Sequence, residues 1–180
     1  GGMVSLTMGL GKTLTAVTHI LSNSKGEFPT LVVTSLTIMN EWKTECIEKF
    51  FGDRIQVLYL HKNFNEDIKN ITRKSLSNYQ IVLTTYDLCN SICKKFEYYE
   101  SCLVMGDEHT LMKDKIESIE LRTRKQADLP KKTGAEIIYG TPWHRVICDE
   151  SQRYANPKTK SYRYMMALYG DYKWCLTGTP

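Results

Sequence analysis

A glycine-rich run near the amino end of the chain has the composition of a phosphate-binding loop. It reads Met8-Gly9-Leu10-Gly11-Lys12-Thr13, follows the short apolar segment Met3-Val4, and opens a segment with apolar residues at helical spacing. In such loops the backbone N–H groups and a helix N-terminus face the phosphates, the lysine reaches the β- and γ-phosphates, and the threonine hydroxyl holds Mg²⁺. The position where the strict pattern has its first glycine is Leu6, so the match is to the variant GxGKT form. We predict an ATP site with Thr13 on the magnesium ion; the alternative is an ordinary turn before a helix.

Two adjacent carboxylates end an apolar run in the second half of the chain. The run is Val146-Ile147-Cys148, followed by Asp149 and Glu150. A P-loop ATPase needs such a pair, because the first carboxylate binds Mg²⁺ and the second deprotonates the attacking water. The alternative is a strand that runs into an acidic turn. A similar pair, Asp107-Glu108, is the weaker candidate, because Gly106 separates it from its apolar run and a polar segment follows at once.

Short apolar runs rich in β-branched residues alternate with segments that carry apolar residues at helical spacing. The runs, predicted to be strands, cover residues 30–34, 55–59, 80–84, 145–148 and 172–176. The segments predicted to be helices cover residues 12–21, 38–51, 66–76, 87–96 and 161–169. This alternation predicts an α/β fold, with a mostly parallel sheet covered by helices on both faces. Ligands of such sheets sit beyond the carboxyl ends of the strands, where both motifs lie.

One segment interrupts the alternation. Residues 105–140 are polar, with lysines and arginines interspersed among acidic residues. Because 180 residues fit one domain, we assign residues 1–180 to a single lobe with this segment as an insertion. Such a charged segment is most often a solvated surface, and the alternative is a loop that faces DNA or a partner.

Composition excludes several classes of protein. Hydrophobic residues make up 42% and charged residues 24%, which argues against a disordered or fibrous chain. No apolar run approaches the ~18 residues of a membrane span, so a membrane protein is not expected. The six cysteines include no CxxC pair and no signal peptide precedes them, which predicts free thiols in an intracellular protein. The net charge of +4 is compatible with nucleic acid without requiring it.

Three parts of the chain resemble motifs of one known family. Residues 1–13, 143–150 and 174–180 are similar to motifs I, II and III of the Swi/Snf-type ATPases in helicase superfamily two. Residues 31–36, followed by Trp42, resemble motif Ia, and residues 82–86 resemble motif Ib. Ser151-Gln152 after the acidic pair, with a composition rich in Lys, Ile and Asn, is similar to members from large DNA viruses.

The resemblance implies a fold and an activity. The fold would be the first RecA-like lobe of a P-loop NTPase, and the activity ATP hydrolysis with Mg²⁺ that drives translocation on double-stranded DNA to remodel chromatin or displace bound protein. The chain stops at Thr179-Pro180 directly after an apolar run, so we expect a piece of a longer polypeptide whose second RecA-like lobe supplies an arginine finger. Such a finger is worth ~10³ to 10⁵ in rate, so the lobe alone should hydrolyse ATP poorly.

The resemblance also implies roles for individual residues. The nucleotide would be held by Met8, Gly9, Leu10, Gly11, Lys12 and Thr13, and the metal by Thr13 and Asp149. The catalytic residues would be Lys12, Glu150 and Gln152. DNA backbone contacts would come from Thr34, Ser35, Thr84 and Thr85. Coupling of hydrolysis to DNA would use Thr177, Gly178 and Thr179.

Two positions depart from the family pattern. Leu6-Thr7 stands where an acidic pair is usual, and Gln152 stands where motif II usually has histidine. Glutamine both donates and accepts hydrogen bonds, as neutral histidine does, so the link to motif III can survive. The alternatives are a helicase that separates DNA or RNA strands, and a regulatory nucleotide-binding module without turnover. The expected location is the nucleus or a cytoplasmic viral replication compartment.

Overall fold

The computed structural model describes residues 1–7, 9–23, 28–95, 134 and 137–178, and these build a parallel sheet. The described strands are β1 (Gly2–Ser5), β2 (Thr30–Thr34), β3 (Val57–Leu60), β4 (Ile81–Thr85), β5 (Trp143–Asp149) and β6 (Gly170–Thr177). Their order across the sheet is β1-β6-β5-β2-β4-β3, and every neighbouring pair is parallel. This confirms the predicted parallel α/β sheet.

The helices lie between the strands. They are α1 (Lys12–Ser22), α2 (Leu36–Glu41), α3 (Tyr86–Lys95), α4 (Ile137–Gly140) and α5 (Lys160–Met166). α2 runs on without a break into a π-helical segment, Trp42–Phe51. Among the helices described, none is long and apolar enough to cross a membrane.

The helix predicted over residues 66–76 is wrong. The chain there forms two short 3₁₀ turns, Ile68–Asn70 and Arg73–Asn78, separated by extended backbone at Ile71 and Thr72. Thr72 starts the second turn with a capping box, its hydroxyl accepting from the Ser75 N–H while the Ser75 hydroxyl accepts from the Thr72 N–H. Such local bonds from Ser and Thr compete with an α-helix.

The sheet is covered on both faces, as predicted. Leu31 and Val33 of β2 point to the core beneath α3, α4 and α5, whereas Val32 points to the core beneath α1 and α2. Ile138 of α4 is fully buried in the first of these cores. The last four residues of the segment predicted as an insertion therefore belong to the folded core; most of residues 105–140, with the pair Asp107-Glu108, lies outside the described residues.

The strand register brings the carboxyl ends of the strands to one edge. Ser5 of β1 pairs with Thr177 of β6, and Asp149 of β5 pairs with Leu176. On the other side of β5, Thr34 pairs with Thr85. Helix-covered cores on both faces fix this edge, which carries the predicted functional residues.

The described cysteines are free thiols, which agrees with the sequence-based prediction. Cys46, Cys89 and Cys93 are buried, and Cys148 and Cys175 are partly buried. Burial raises the pKa of the Cys46 and Cys93 thiols to about 11. These thiols are therefore unreactive core residues rather than nucleophiles.

Candidate active site at the carboxyl edge of the sheet

The loop between β1 and α1 depends on two glycines in the left-handed backbone region. Gly9 has φ 84° and Gly11 has φ 79°, and a Cβ atom at either position would meet nothing within 4 Å. The requirement for glycine is therefore conformational rather than a matter of space. Gly11 precedes α1 and offers no side chain to cap it, so the first N–H groups of this helix are not bound by a capping side chain. These groups are suited to an anion.

Lys12 closes this loop on itself. Its Nζ donates to the carbonyl oxygen of Leu6 at 3.1 Å, across the glycine-rich turn. The ammonium is also close enough to Asp149 to act against the rise in the pKa of that carboxyl. The predicted phosphate-binding lysine and the predicted metal-binding carboxylate thus share one site. Met8, the remaining residue predicted in this loop, lies outside the described residues.

Asp149 is a buried carboxylate at the end of β5, with 3% of its surface exposed. Burial raises its pKa, and the charge of Glu150 adds to the rise. Three groups stabilise the charged form: the Trp42 indole N–H donates to Oδ2 at 2.8 Å, the Glu150 N–H donates to Oδ1 at 3.0 Å, and Lys12 contributes its charge. A carboxylate held this way in a dry site has few partners left except a cation.

Glu150 adopts a backbone conformation that side chains seldom take. Its φ of 52° and ψ of 45° are left-handed, and within the described ranges it is the one residue other than glycine with positive φ. Such a conformation costs of order 1–3 kcal/mol and persists only where the surroundings fix it. The Tyr86 hydroxyl donates to the Asp149 carbonyl at 2.9 Å, which holds the peptide that precedes Glu150.

Gln152 connects Glu150 to the end of β6. Its Nε2 donates to Glu150 Oε2 at 2.6 Å, and its Oε1 accepts from the Thr177 hydroxyl at 2.7 Å. A carboxylate can only accept, so the amide must turn its NH₂ toward Glu150 and its oxygen toward Thr177. The Ser151 hydroxyl donates to the Leu176 carbonyl at 3.3 Å and ties the same turn to β6. Gly178 follows directly, whereas Thr179 lies outside the described residues.

The donor set fits a magnesium ion that also binds a nucleotide. Asp149 offers carboxylate oxygens, and Thr13, half-buried at the second position of α1, offers a hydroxyl. Within the described part of the chain, no three His, Cys, Asp or Glu residues cluster to hold a metal. Mg²⁺ characteristically uses one or two protein ligands together with water and substrate phosphates.

The predicted DNA contacts are partly corrected. Thr34, Thr84 and Thr85 are at most 1% exposed, so their hydroxyls do not reach the surface. Thr84 donates to the Leu60 carbonyl at 3.3 Å, and the Thr85 hydroxyl accepts from the Leu88 N–H at 3.2 Å and so caps α3. Only Ser35, which caps α2 by accepting from the Ile38 N–H, is partly exposed. A strand-end hydroxyl serves a helix cap as readily as a ligand, and the sequence does not separate the two uses.

Two contacts to Asp149 had no sequence-based prediction. Trp42 and Tyr86 lie within the segments that resemble motifs Ia and Ib, but the sequence assigned neither a role. Their partner is 107 and 63 residues away, respectively. The usable signal was the position of an aromatic donor just after a predicted strand end, at the edge where ligands bind.

The chain is similar to known proteins along its whole length. The profile of the SNF2-related domain matches residues 1–180. A protein of Invertebrate iridescent virus 6 named "Putative helicase 172L" is 58% identical over 181 residues, which cover 100% of this chain and 30% of that protein. An uncharacterized ATP-dependent helicase of Schizosaccharomyces pombe is 30% identical over 183 residues, which cover 100% of this chain and 15% of that protein.

A solved structure has the same fold. The SWI2/SNF2 ATPase core of Sulfolobus solfataricus in complex with dsDNA superposes with a TM-score of 0.61 at 24% identity, covering 99% of this chain and 27% of that one. At this identity the likeness establishes the RecA-like fold. The chain spans about 30% or less of the length of each of these proteins.

Proposed function

Because the chain belongs to the family of SNF2-related domains, we propose that it is the ATP-binding lobe of a DNA-dependent ATPase that translocates on double-stranded DNA. Family membership carries the coarser statement, an ATP-dependent activity related to DNA. The observation that supports the finer one is the arrangement at the carboxyl edge: Lys12, Asp149 and Glu150 meet there, and Gln152 links Glu150 to Thr177.

The proposed hydrolysis follows from what each group at this edge can do. The N-terminus of α1 receives the phosphates, and Lys12 exchanges the Leu6 carbonyl for a phosphate oxygen. Asp149 and Thr13 would hold Mg²⁺, which when bound stabilises negative charge on the phosphate oxygens. Glu150 accepts the proton of the attacking water, and Gln152 sets the direction of its carboxylate. Thr177 senses that direction through the same amide.

A second RecA-like lobe is part of the proposal. The relatives extend far beyond the matched region, since the chain covers 30% of the iridescent-virus protein. A group supplied from outside this lobe, of the arginine-finger kind, would complete the charge stabilisation that the described residues begin. Turnover is therefore expected from the complete protein rather than from residues 1–180 alone.

Double-stranded DNA is the proposed partner. Ser35 is partly exposed at the same edge as the ATP site, and Thr34, Thr84 and Thr85 support the backbone around it from within. The Sulfolobus protein with this fold was solved with dsDNA. Contacts of this kind reach phosphates, so binding should lack sequence preference and weaken with salt.

A strand-separating helicase is the second candidate. The name of the iridescent-virus relative, 58% identical, favours it. The same relative supports the proposal that the protein works in the nucleus or in a cytoplasmic viral replication compartment. Two assays on one preparation separate the candidates: displacement of a third strand from a triplex reports translocation, and separation of a fluorescent duplex reports unwinding.

The test of the proposed function is ATP hydrolysis by the complete protein with and without duplex DNA. We expect stimulation by DNA, and we expect Glu150→Gln to abolish turnover while leaving ATP binding within about twofold, because the amide cannot accept a proton. Turnover that survives Glu150→Gln would contradict the proposal. Nucleotide binding without any turnover in the unaltered protein would instead favour the regulatory module.

A further inference from the structure

The last residue of β5 is held from both faces of the sheet by aromatic side chains. From the face that packs under α1 and α2, the Trp42 indole donates to Asp149 Oδ2 at 2.8 Å. From the face that packs under α3 and α5, the Tyr86 hydroxyl donates to the Asp149 carbonyl at 2.9 Å. Both aromatic side chains are at most 1% exposed.

The two bonds fix different parts of the site. Trp42 binds one carboxylate oxygen of Asp149, and the Glu150 N–H binds the other, so the rotation of the carboxylate is set. Tyr86 binds the carbonyl of the peptide between Asp149 and Glu150, whose N–H is already held by Oδ1. That peptide is thus held at both ends, and it determines the left-handed conformation from which the Glu150 side chain departs.

We propose that Trp42 and Tyr86 are separate positioning residues for this site: Trp42 orients the Asp149 carboxylate for Mg²⁺, and Tyr86 orients Glu150 for water activation. This inference rests on the proposed function of Asp149 and Glu150. It assigns to Trp42 an effect on metal affinity and to Tyr86 an effect on turnover.

Rigidity of both donors supports these roles. The Tyr86 ring stacks on Tyr154 with centroids 3.7 Å apart and planes 22° from parallel, which leaves its hydroxyl one direction. Trp42 begins the π-helical segment and is fully buried. Phenylalanine would keep most of the packing at either position and remove only the donor, so the hydrogen bond can be tested apart from the ring.

The chain offers a matched control for each change. The Trp143 indole donates to the Ile138 carbonyl at 2.8 Å, also buried, but Trp143 is the first residue of β5 whereas Asp149 is the last. The Tyr139 hydroxyl donates to the Tyr164 carbonyl at 3.2 Å, and neither residue belongs to the site. Trp143→Phe and Tyr139→Phe thus remove an equivalent bond elsewhere in the fold.

Trp42→Phe is expected to weaken Mg²⁺ binding. Loss of a hydrogen-bond partner behind a metal ligand typically costs about 10- to 100-fold in metal affinity. The affinity of a fluorescent ADP analogue for the complete protein should fall in saturating Mg²⁺ and stay within twofold in EDTA, whereas Trp143→Phe should change neither. Equal changes in both variants, or no change with Mg²⁺, would overturn the role of Trp42.

A measurement on the unaltered protein covers the case in which Trp42→Phe fails to fold. With 5-fluorotryptophan incorporated, ¹⁹F resonances report each indole. We expect the Trp42 resonance to shift when Mg²⁺ is added to the ADP complex and the Trp143 resonance to stay in place. A Trp42 resonance indifferent to Mg²⁺ would contradict the proposal.

Tyr86→Phe is expected to act on turnover alone. The kcat should fall about 10-fold or more, because misplacement of a catalytic group by a fraction of an ångström is costly. The affinity for the Mg²⁺-bound ADP analogue should stay within twofold, and Tyr139→Phe should leave kcat unchanged. Unaltered kcat in Tyr86→Phe would overturn its role.

Failure of this inference is distinguishable from failure of the proposed function. If Glu150→Gln abolishes turnover while Trp42→Phe and Tyr86→Phe behave as their controls, the ATP site stands and the positioning roles fall. If Glu150→Gln leaves turnover intact, the proposed function itself is contradicted.

Discussion

Gln152→Ala is expected to reduce turnover without loss of nucleotide affinity. The change removes the bond to Glu150 Oε2 at 2.6 Å and the bond from the Thr177 hydroxyl at 2.7 Å. Because Gln152 is exposed, each bond contributes about 1 kcal/mol net, the middle of the usual range. Freeing the Glu150 carboxylate from a restraint of ~1–1.4 kcal/mol lowers the population of its productive orientation, and hence kcat, by about 5- to 10-fold.

Two further substitutions at the same position separate the two bonds. Gln152→Glu keeps an acceptor for Thr177 but removes the donor to Glu150 and places a like charge beside it. Repulsion of ~1 kcal/mol at 4 Å in water, more in a less polar setting, adds to the lost bond, so kcat should fall about 30-fold. Gln152→His keeps both a donor and an acceptor and should stay within about threefold of the unaltered protein.

The assay is kcat of the complete protein at saturating Mg²⁺-ATP and duplex DNA. Gln80→Ala is the control, because Gln80 Oε1 accepts from the Gln56 N–H near the start of β4, away from the site. If Gln152→Ala keeps kcat within twofold, or if Gln152→Glu equals it, the amide does not orient Glu150 and the reasoning is refuted.

Three other outcomes are expected. Lys12→Ala should weaken ATP binding at least ~100-fold, since charge-assisted bonds to phosphate are lost, while the melting temperature changes little; affinity within a few-fold would contradict this. Since burial raises the pKa of Cys46 and Cys93 to about 11 from an ordinary 9.0, the free energy of unfolding should hold below pH 9 and fall as pH rises toward 11. Urea titrations across that range should find a shallower fall in Cys46→Ala. In DNA titrations at several salt concentrations, Ser35→Ala should flatten the salt dependence by at most ~0.9, and neutralising the lysines and arginines between residues 113 and 132 should flatten it further if that segment contacts DNA.

The sequence predicted the central strands best. Residues 30–34 are a continuous run of Thr, Leu and Val, and β2 has those same bounds, because a strand between two others in a covered sheet must be apolar on both sides. At the ends of β5 and β6, polar or small residues such as His144 and Gly170 hid the first turns of the ladder from the pattern. Strand pairing supplies what local composition does not.

The site was predictable where its chemistry is local. Gly9, Gly11 and Lys12 sit within four residues, and Asp149 and Glu150 are adjacent, so spacing alone placed them together. Burial of Thr34, Thr84 and Thr85 was not predictable, because a hydroxyl at a strand end has the same sequence signal whether it caps a helix or faces solvent. The contacts of Trp42 and Tyr86 depend on strand order, which the chain specifies only through its full packing.

The strained features of the site all lie at one edge of the sheet. A buried carboxylate at Asp149 and a left-handed backbone at Glu150 each oppose folding, by desolvation in the first case and by about 1–3 kcal/mol of backbone energy in the second. Such a pair persists only if its surroundings have a stronger preference of their own. Here β5 lies between β2 and β6, with a core on each face, so its end cannot move without disrupting both neighbours. The central position of β5 therefore explains why the two carboxylates are held where a water molecule and a metal ion would need them.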